Sequence, residues 1–300
     1  GVYDFSSTIT LSGKGSEGSS YYLWAYPGEQ PVINFAGQST GSHGFYITGD
    51  YWSLRGLEVK NAGKSGIRIT GNHNTIEGCS LHHNRDSGLY IGINKGTALN
   101  TDGSQAAYNQ IINCDSYLNY DASGSTGPGG NADGFACKLN PGKGNVFRGC
   151  RAWENSDDGW DLYMANFQVI IENCWTWHNG DPNSYGYSGD DWGGNGNGFK
   201  VGGGDENKTN EFYSYGPHLL KNCIAFDMKY GKGASHKAFD RNNNKTGITL
   251  TNCLAFNSIT GFSFSEAPLD GTMHKLTNCA AFGCNTARSL KGAQETNTDW

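Results

Sequence analysis

Five residues carry the types and spacing from which chemistry can be built: Asp133, the run Asp157-Asp158-x-x-Asp161, and Lys200. Carboxylates gathered within a few ångströms repel one another strongly. A hard cation with a flexible shell of roughly six to eight oxygens removes that repulsion, and Ca²⁺ suits such a set better than Mg²⁺. A lysine on an outer strand is ordinarily a solvated charge. Beside a bound cation it becomes a candidate Brønsted base, because the positive field favours its neutral amine. Carboxylates alone act the other way and hold the ammonium above its ordinary value of ~10.4. No Ser/His/Asp grouping can be assembled from these positions. A carboxylate pair for glycoside hydrolysis lacks a free acid once four aspartates serve a metal. By itself Asp-Asp-x-x-Asp also describes a solvated acidic edge, so the chemistry depends on the elements that position it.

Those elements are set by an internal repeat. Seven cysteines, each following Asn or Gly, recur down the chain: Cys79, Cys114, Cys150, Cys174, Cys223, Cys253 and Cys279. A short apolar stretch precedes most of them. Asn84, Asn119, Asn155 and Asn179 stand five residues after the first four, and Asn257 stands four after Cys253. A five-residue signature, x-Gly-apolar-x-apolar, then recurs, as in Asp133-Gly-Phe-Ala-Cys137, Asp158-Gly-Trp-Asp-Leu162 and Asn197-Gly-Phe-Lys-Val201. The interval between cysteines varies, from 24 residues (Cys150 to Cys174) to 49 (Cys174 to Cys223), so insertions fall at one place in each unit. Short alternating strands, residue columns in register and insertions at one corner predict an all-β parallel β-helix of roughly nine or ten coils. Interior Asn should form a hydrogen-bonded ladder, and the cysteines should be core filler, since no Cys-x-x-Cys pair suggests a metal.

Alternation along the strand places the Gly and the fourth position of each signature outside. The fourth positions then form a column, Tyr46, Arg68, Tyr90, Ala136, Asp161, Lys200, Asp240 and Ser263, with the Gly column as a shallow floor beside it. First positions also align as Asp133, Asp158, Asn197 and Lys237. Strict alternation would turn these inward, but they stand at a corner where parity need not hold. Asn197, Lys237 and Arg241 are expected substrate contacts, gripping an anionic chain, with an Arg241–Asp240 ion pair as the structural alternative. The insertion 181–196 brings Tyr185, Tyr187 and Trp192 just ahead of Lys200. Trp192 is the expected sugar-stacking contact, although such aromatics equally pack a loop onto its own coil.

Composition agrees with many short strands and turns: 45 Gly and 31 Asn in 300 residues, with 13% aromatics for a core. A net charge of −6 argues against a nucleic-acid binder, which needs a basic face. No apolar run approaches the roughly 18 residues of a membrane span. The chain begins at Gly1 in what reads as an already started coil, so a trimmed or processed N-terminal start of a single 1–300 domain is expected.

The stretches Asn131-Ala-Asp-Gly-Phe-Ala-Cys-Lys-Leu139, Glu154-Asn-Ser-Asp-Asp-Gly-Trp-Asp-Leu-Tyr163 and Asn195-Gly-Asn-Gly-Phe-Lys-Val-Gly202 resemble polysaccharide lyase family 9, the right-handed parallel β-helix pectate lyases. The resemblance implies that Asp133, Asp157, Asp158 and Asp161 hold Ca²⁺ and that Lys200 is the base. It implies β-elimination on polygalacturonate, an acidic plant cell-wall polysaccharide, by a secreted monomer with no nucleic-acid or membrane partner. A rhamnogalacturonan lyase, a uronate epimerase and a non-catalytic carbohydrate-binding β-helix rod are the competing readings.

Overall fold

A computed structural model describes residues 1–93, 100–124, 126–204, 216–233 and 236–300. Its strands form three sheets of ten strands each, every pairing between named strands being parallel and every third strand in sequence being a neighbour. The chain therefore winds ten times, and each coil gives one strand to each sheet. Coil 6, for example, runs through Arg151–Trp153, Trp160–Asp161 and Val169–Glu172. Coils stack at the ~4.8 Å strand spacing.

The Asn-Cys or Gly-Cys step is the turn from the third sheet into the first. Asn173, Asn222, Asn252 and Asn278 there have φ of 57°, 53°, 53° and 52°, and Gly149 has 67°. Asn and Gly are the residues that tolerate this left-handed conformation. The turn delivers the following cysteine into the core, where all of the column lies buried. All nine cysteines are free. Within the second sheet Phe135, Trp160, Phe199, Phe239 and Phe262 stack face to face through the interior.

Asn84, Asn119, Asn155 and Asn179 form the expected buried ladder. Each side-chain amide donates to the next Asn Oδ1 at 2.9, 2.8 and 3.1 Å, and Asn179 ends the run on Thr176 Oγ1. Asn257 is not a rung. It is exposed with φ 50°, and the following Ser258 takes the buried place. A second ladder through Asn74, Asn109 and Asn145 braces the corner between the second and third sheets.

The corner before the second sheet corrects the expected parity. A Cβ on Gly134 would meet Ala152 Cβ, Gly159 O and Asn155 Nδ2 at 2.6, 2.8 and 2.9 Å, so this position faces the interior wall of the first sheet. Gly159 and Gly198 meet the same wall through Thr176. The Gly column is an inner close contact, not a ligand floor. Because Gly134 and Phe135 both turn inward, alternation breaks at the bend and Asp133 is released to the outside.

Candidate active site

Strand register aligns Ala136, Asp161, Lys200 and Asp240 on successive coils. The column lies outside the coils yet is covered by the corner loops, with Asp161 only 3% exposed. Asp133 and Asp158, one residue ahead of their glycines, complete a cluster. Oxygens of Asp133, Asp158 and Asp161 lie within 4.8 Å of one another. Asp157 is not part of that trio. Its Oδ1 accepts from the Asn195 backbone N–H at 2.7 Å, and it forms part of the adjoining cavity wall.

Two ammonium groups reach the cluster. Lys200 Nζ is 2.9 Å from Asp158 Oδ2 and 3.9 Å from Asp161 Oδ1, with its side chain 11% exposed. It also donates to Asn195 Oδ1 at 3.3 Å. Lys138 Nζ bridges Asp133 Oδ2 at 2.6 Å and Asp161 Oδ2 at 3.0 Å. The sequence reading did not single out Lys138. Its one signal was being the charged residue at a place held by Thr48, Thr70, Gly92, Tyr163 and Gly202 in other coils.

Electrostatics follow from burial and imbalance. Burial pushes the Asp133 carboxyl up to about 8 against the pull of Lys138. Burial and the neighbouring Asp158 push Asp157 well up, and burial also raises Asp158. Asp161 is buried as well, but Lys200 and Lys138 outweigh burial and hold it below the usual carboxylate range. Burial acts to lower Lys200, yet Asp158, Asp161, Asp157 and Asp133 together hold it well above the ordinary lysine value. Fully ionised, four carboxylates against two ammonium groups would carry two excess negative charges in a buried site, which is why Asp133, Asp157 and Asp158 resist ionisation there. An all-oxygen donor set with that deficit fits a hard divalent cation such as Ca²⁺.

The remaining expected residues fall into different places. Asn197 is buried and gives both its backbone N–H and its Nδ2 to Asp158 Oδ1 at 2.9 Å, so it aims a carboxylate. Lys237 pairs with Asp240 at 3.0 Å. Arg241 continues the inward row after Val201, which explains its burial, and it pairs with Glu266 at 2.5 Å instead of with Asp240. Trp192 is buried against Gly129, its indole N–H donates to Gly180 O, and its ring packs among Tyr120, Tyr185 and Tyr187. The insertion aromatics pack the loop back onto the two preceding coils: Tyr185 donates to Asn119 O and Glu154 O. A cavity of about 520 Å³ opens over the cluster, lined by Lys138, Asp157, Asp161, Asn195, Lys200 and Lys232 among others. Lys232, a coil beyond Lys200, is a second cation that the sequence reading passed over.

Comparison with known proteins places this geometry among relatives. The family profile described as the Pel9A-like, right-handed β-helix region matches residues 1–289. Pectate lyase L of Dickeya chrysanthemi is 40% identical over 276 residues, covering 91% of this chain and 58% of that protein. Pectate lyase L of Dickeya dadantii is 37% identical over 298 residues, covering 98% of this chain and 63% of the relative. The chain thus spans less than two thirds of the length of either. The crystal structure of pectate lyase Pel9A superposes with a TM-score of 0.82 at 34% identity, over 99% of this chain and 69% of the other.

Proposed function

We infer, from the premise that this chain belongs to the Pel9A-like right-handed β-helix family, that it is the catalytic solenoid of a calcium-dependent pectate lyase. That membership bears out the resemblance to polysaccharide lyase family 9 and its right-handed parallel β-helix. The observation that carries the activity is Lys200 Nζ set 2.9 Å from Asp158 in the wall of a cavity shared with Asp157 and Asp161.

In this reading Asp133, Asp157, Asp158 and Asp161 would hold Ca²⁺. Bound there, the cation would engage the uronate carboxylate and stabilise the charge that grows on it as the C5 proton leaves. Asn197 keeps Asp158 oriented, and Asn195 does the same for Asp157 through its backbone N–H and for Lys200 through its side chain. Lys200 must first lose its own proton to solvent. Its neutral amine then takes the proton from C5 of an α-1,4-linked galacturonate. The C–H electron pair becomes the C4–C5 double bond, and the C4–O pair leaves with the departing sugar oxygen, which takes up a proton. The products are 4,5-unsaturated oligogalacturonides. Since pectin lies in the plant cell wall, the enzyme acts outside the cell. No helix among the described residues is long and apolar enough to cross a membrane.

The test is incubation with polygalacturonate and Ca²⁺ while following ultraviolet absorbance of the new double bond. Absorbance that grows with wild type, and at a rate lower by roughly 10³-fold with Lys200→Ala, is expected. Absorbance only on rhamnogalacturonan would reassign the substrate, and binding without absorbance would make the chain a carbohydrate-binding rod.

A further inference from the structure

A second cavity of about 380 Å³ continues the first toward the N-terminal coils, the two sharing Asn131, Lys138 and Leu139. Its far wall carries Lys64 from coil 3 and Arg85 from coil 4, with Tyr90 beside them. Lys64 is half-buried and has no ion-pair or hydrogen-bond partner among the described residues. Beside it burial, Lys64 and Arg68 together hold His43 down to about 3, so that imidazole is neutral and adds no positive charge to the wall. Arg85 is exposed and spends one N–H on Thr40 Oγ1 at 2.7 Å, leaving the rest of its fork to the cavity.

Two acids share this wall, but each is engaged by its own chain. Asp86 Oδ1 accepts from the N–H and hydroxyl of Ser87. Asp121 accepts from the N–H and Nδ2 of Asn131, the N–H of Ala132 and the hydroxyl of Ser156. The groups with donors to spare are therefore the two cations. Their chemistry is that of a carboxylate subsite, where a charge-assisted pair is stronger than a neutral hydrogen bond.

We propose that Lys64 and Arg85 form a distal subsite for the carboxylate of a second uronate unit on the same polysaccharide chain. The proposal rests on the lyase reading for the nature of the polymer. Three coils separate Arg85 from Lys200 and four separate Lys64 from it, or about 14 and 19 Å at the strand spacing. A substrate must extend several sugars from the cleaved bond to reach this pair, so the subsite selects long chains over short ones.

The test compares kcat/KM for hexagalacturonate with that for trigalacturonate, in wild type and in Lys64→Gln, Arg85→Gln and the double variant. The expected result is a ratio that falls roughly tenfold in the double variant and by intermediate amounts in the single ones, with unchanged melting temperatures. An unchanged ratio would overturn the proposal. Should wild type cleave neither oligomer, the lyase reading fails on its own, and calorimetry still decides the subsite. Hexagalacturonate should then bind more tightly than trigalacturonate, and the double variant should lose that difference; equal binding of the two oligomers by wild type would also overturn it.

Discussion

At the scale of single residues, the site is a balance between burial and too many negative charges. Lys200 is held protonated by Asp158, Asp161, Asp157 and Asp133 despite its burial. A base held above its ordinary value is scarce in its active form at neutral pH, so turnover should climb as pH rises into the alkaline range. A pH–rate profile at saturating Ca²⁺ checks this, and a maximum near neutrality followed by a fall would remove Lys200 from the role. Lys138 poses the complementary question. Its ammonium bridges Asp133 and Asp161, two of the oxygens a cation would use. Lys138→Met removes a competing positive charge and should tighten Ca²⁺ binding by about tenfold, close to ~1.4 kcal/mol, as measured by calorimetry. Weaker binding in the variant would mean that Lys138 serves chiefly to hold the carboxylates in place.

At the scale of elements, ladders and corners do the positioning. Asn155 donates to Asn179 Oδ1 and Ser116 O and accepts from Asn119, all within the buried interior. Its strand and loop lead directly to Asp157 and Asp158. Asn155→Leu deletes the rung: Asn119 loses its shortest acceptor, Ser116 O loses the Asn155 amide, and Asn179 Oδ1 keeps only the backbone N–H of residue 155. The expected cost is roughly 1–3 kcal/mol, read from the urea midpoint, and an unchanged midpoint would contradict the ladder as a stabilising element. The corner matters as much. Only a residue without a side chain fits at Gly134 and Gly159, and that inward turn is what frees Asp133 and Asp158 for the outer face.

At the scale of the molecule, ten coils share one interior, and the two joined cavities form an axial groove along part of the outside. Its cations, Lys64, Arg85, Lys138, Lys200 and Lys232, come from five different coils of a chain whose net charge is −6. Affinity for a polyanion is thus local, set along a line parallel to the axis, instead of arising from overall charge. The same stacking makes the fold independent of disulfides. All nine cysteines are free and eight are buried, and burial together with contact between neighbouring thiols raises several of them. Buried neutral thiols react slowly. A thiol reagent should therefore label at most Cys284 in the native protein and all nine after denaturation, and a reductant should leave the melting temperature unchanged. Two or more fast-reacting native thiols would contradict the packed column.

The amino-acid sequence by itself determined the coil, the register and the column that carries Asp161 and Lys200. These follow from a repeat, because each residue's neighbours above and below are its counterparts one unit away. It also marked four rungs of the Asn ladder, since their offset from Cys is constant, and it misplaced Asn257 where that offset shortened by one. The tertiary structure alone decided what breaks the repeat. Side-chain parity at a bend depends on the width left by the opposing sheet, so the inward Gly column and the outward Asp133 were not readable from alternation. Lys138 reaches the cluster through a long flexible side chain, and Arg241 turns to Glu266 across the next coil, neither of which spacing specifies. The path of the 181–196 insertion buries Trp192 among partners distant in sequence, because a loop outside the repeat has no counterpart to define its neighbours.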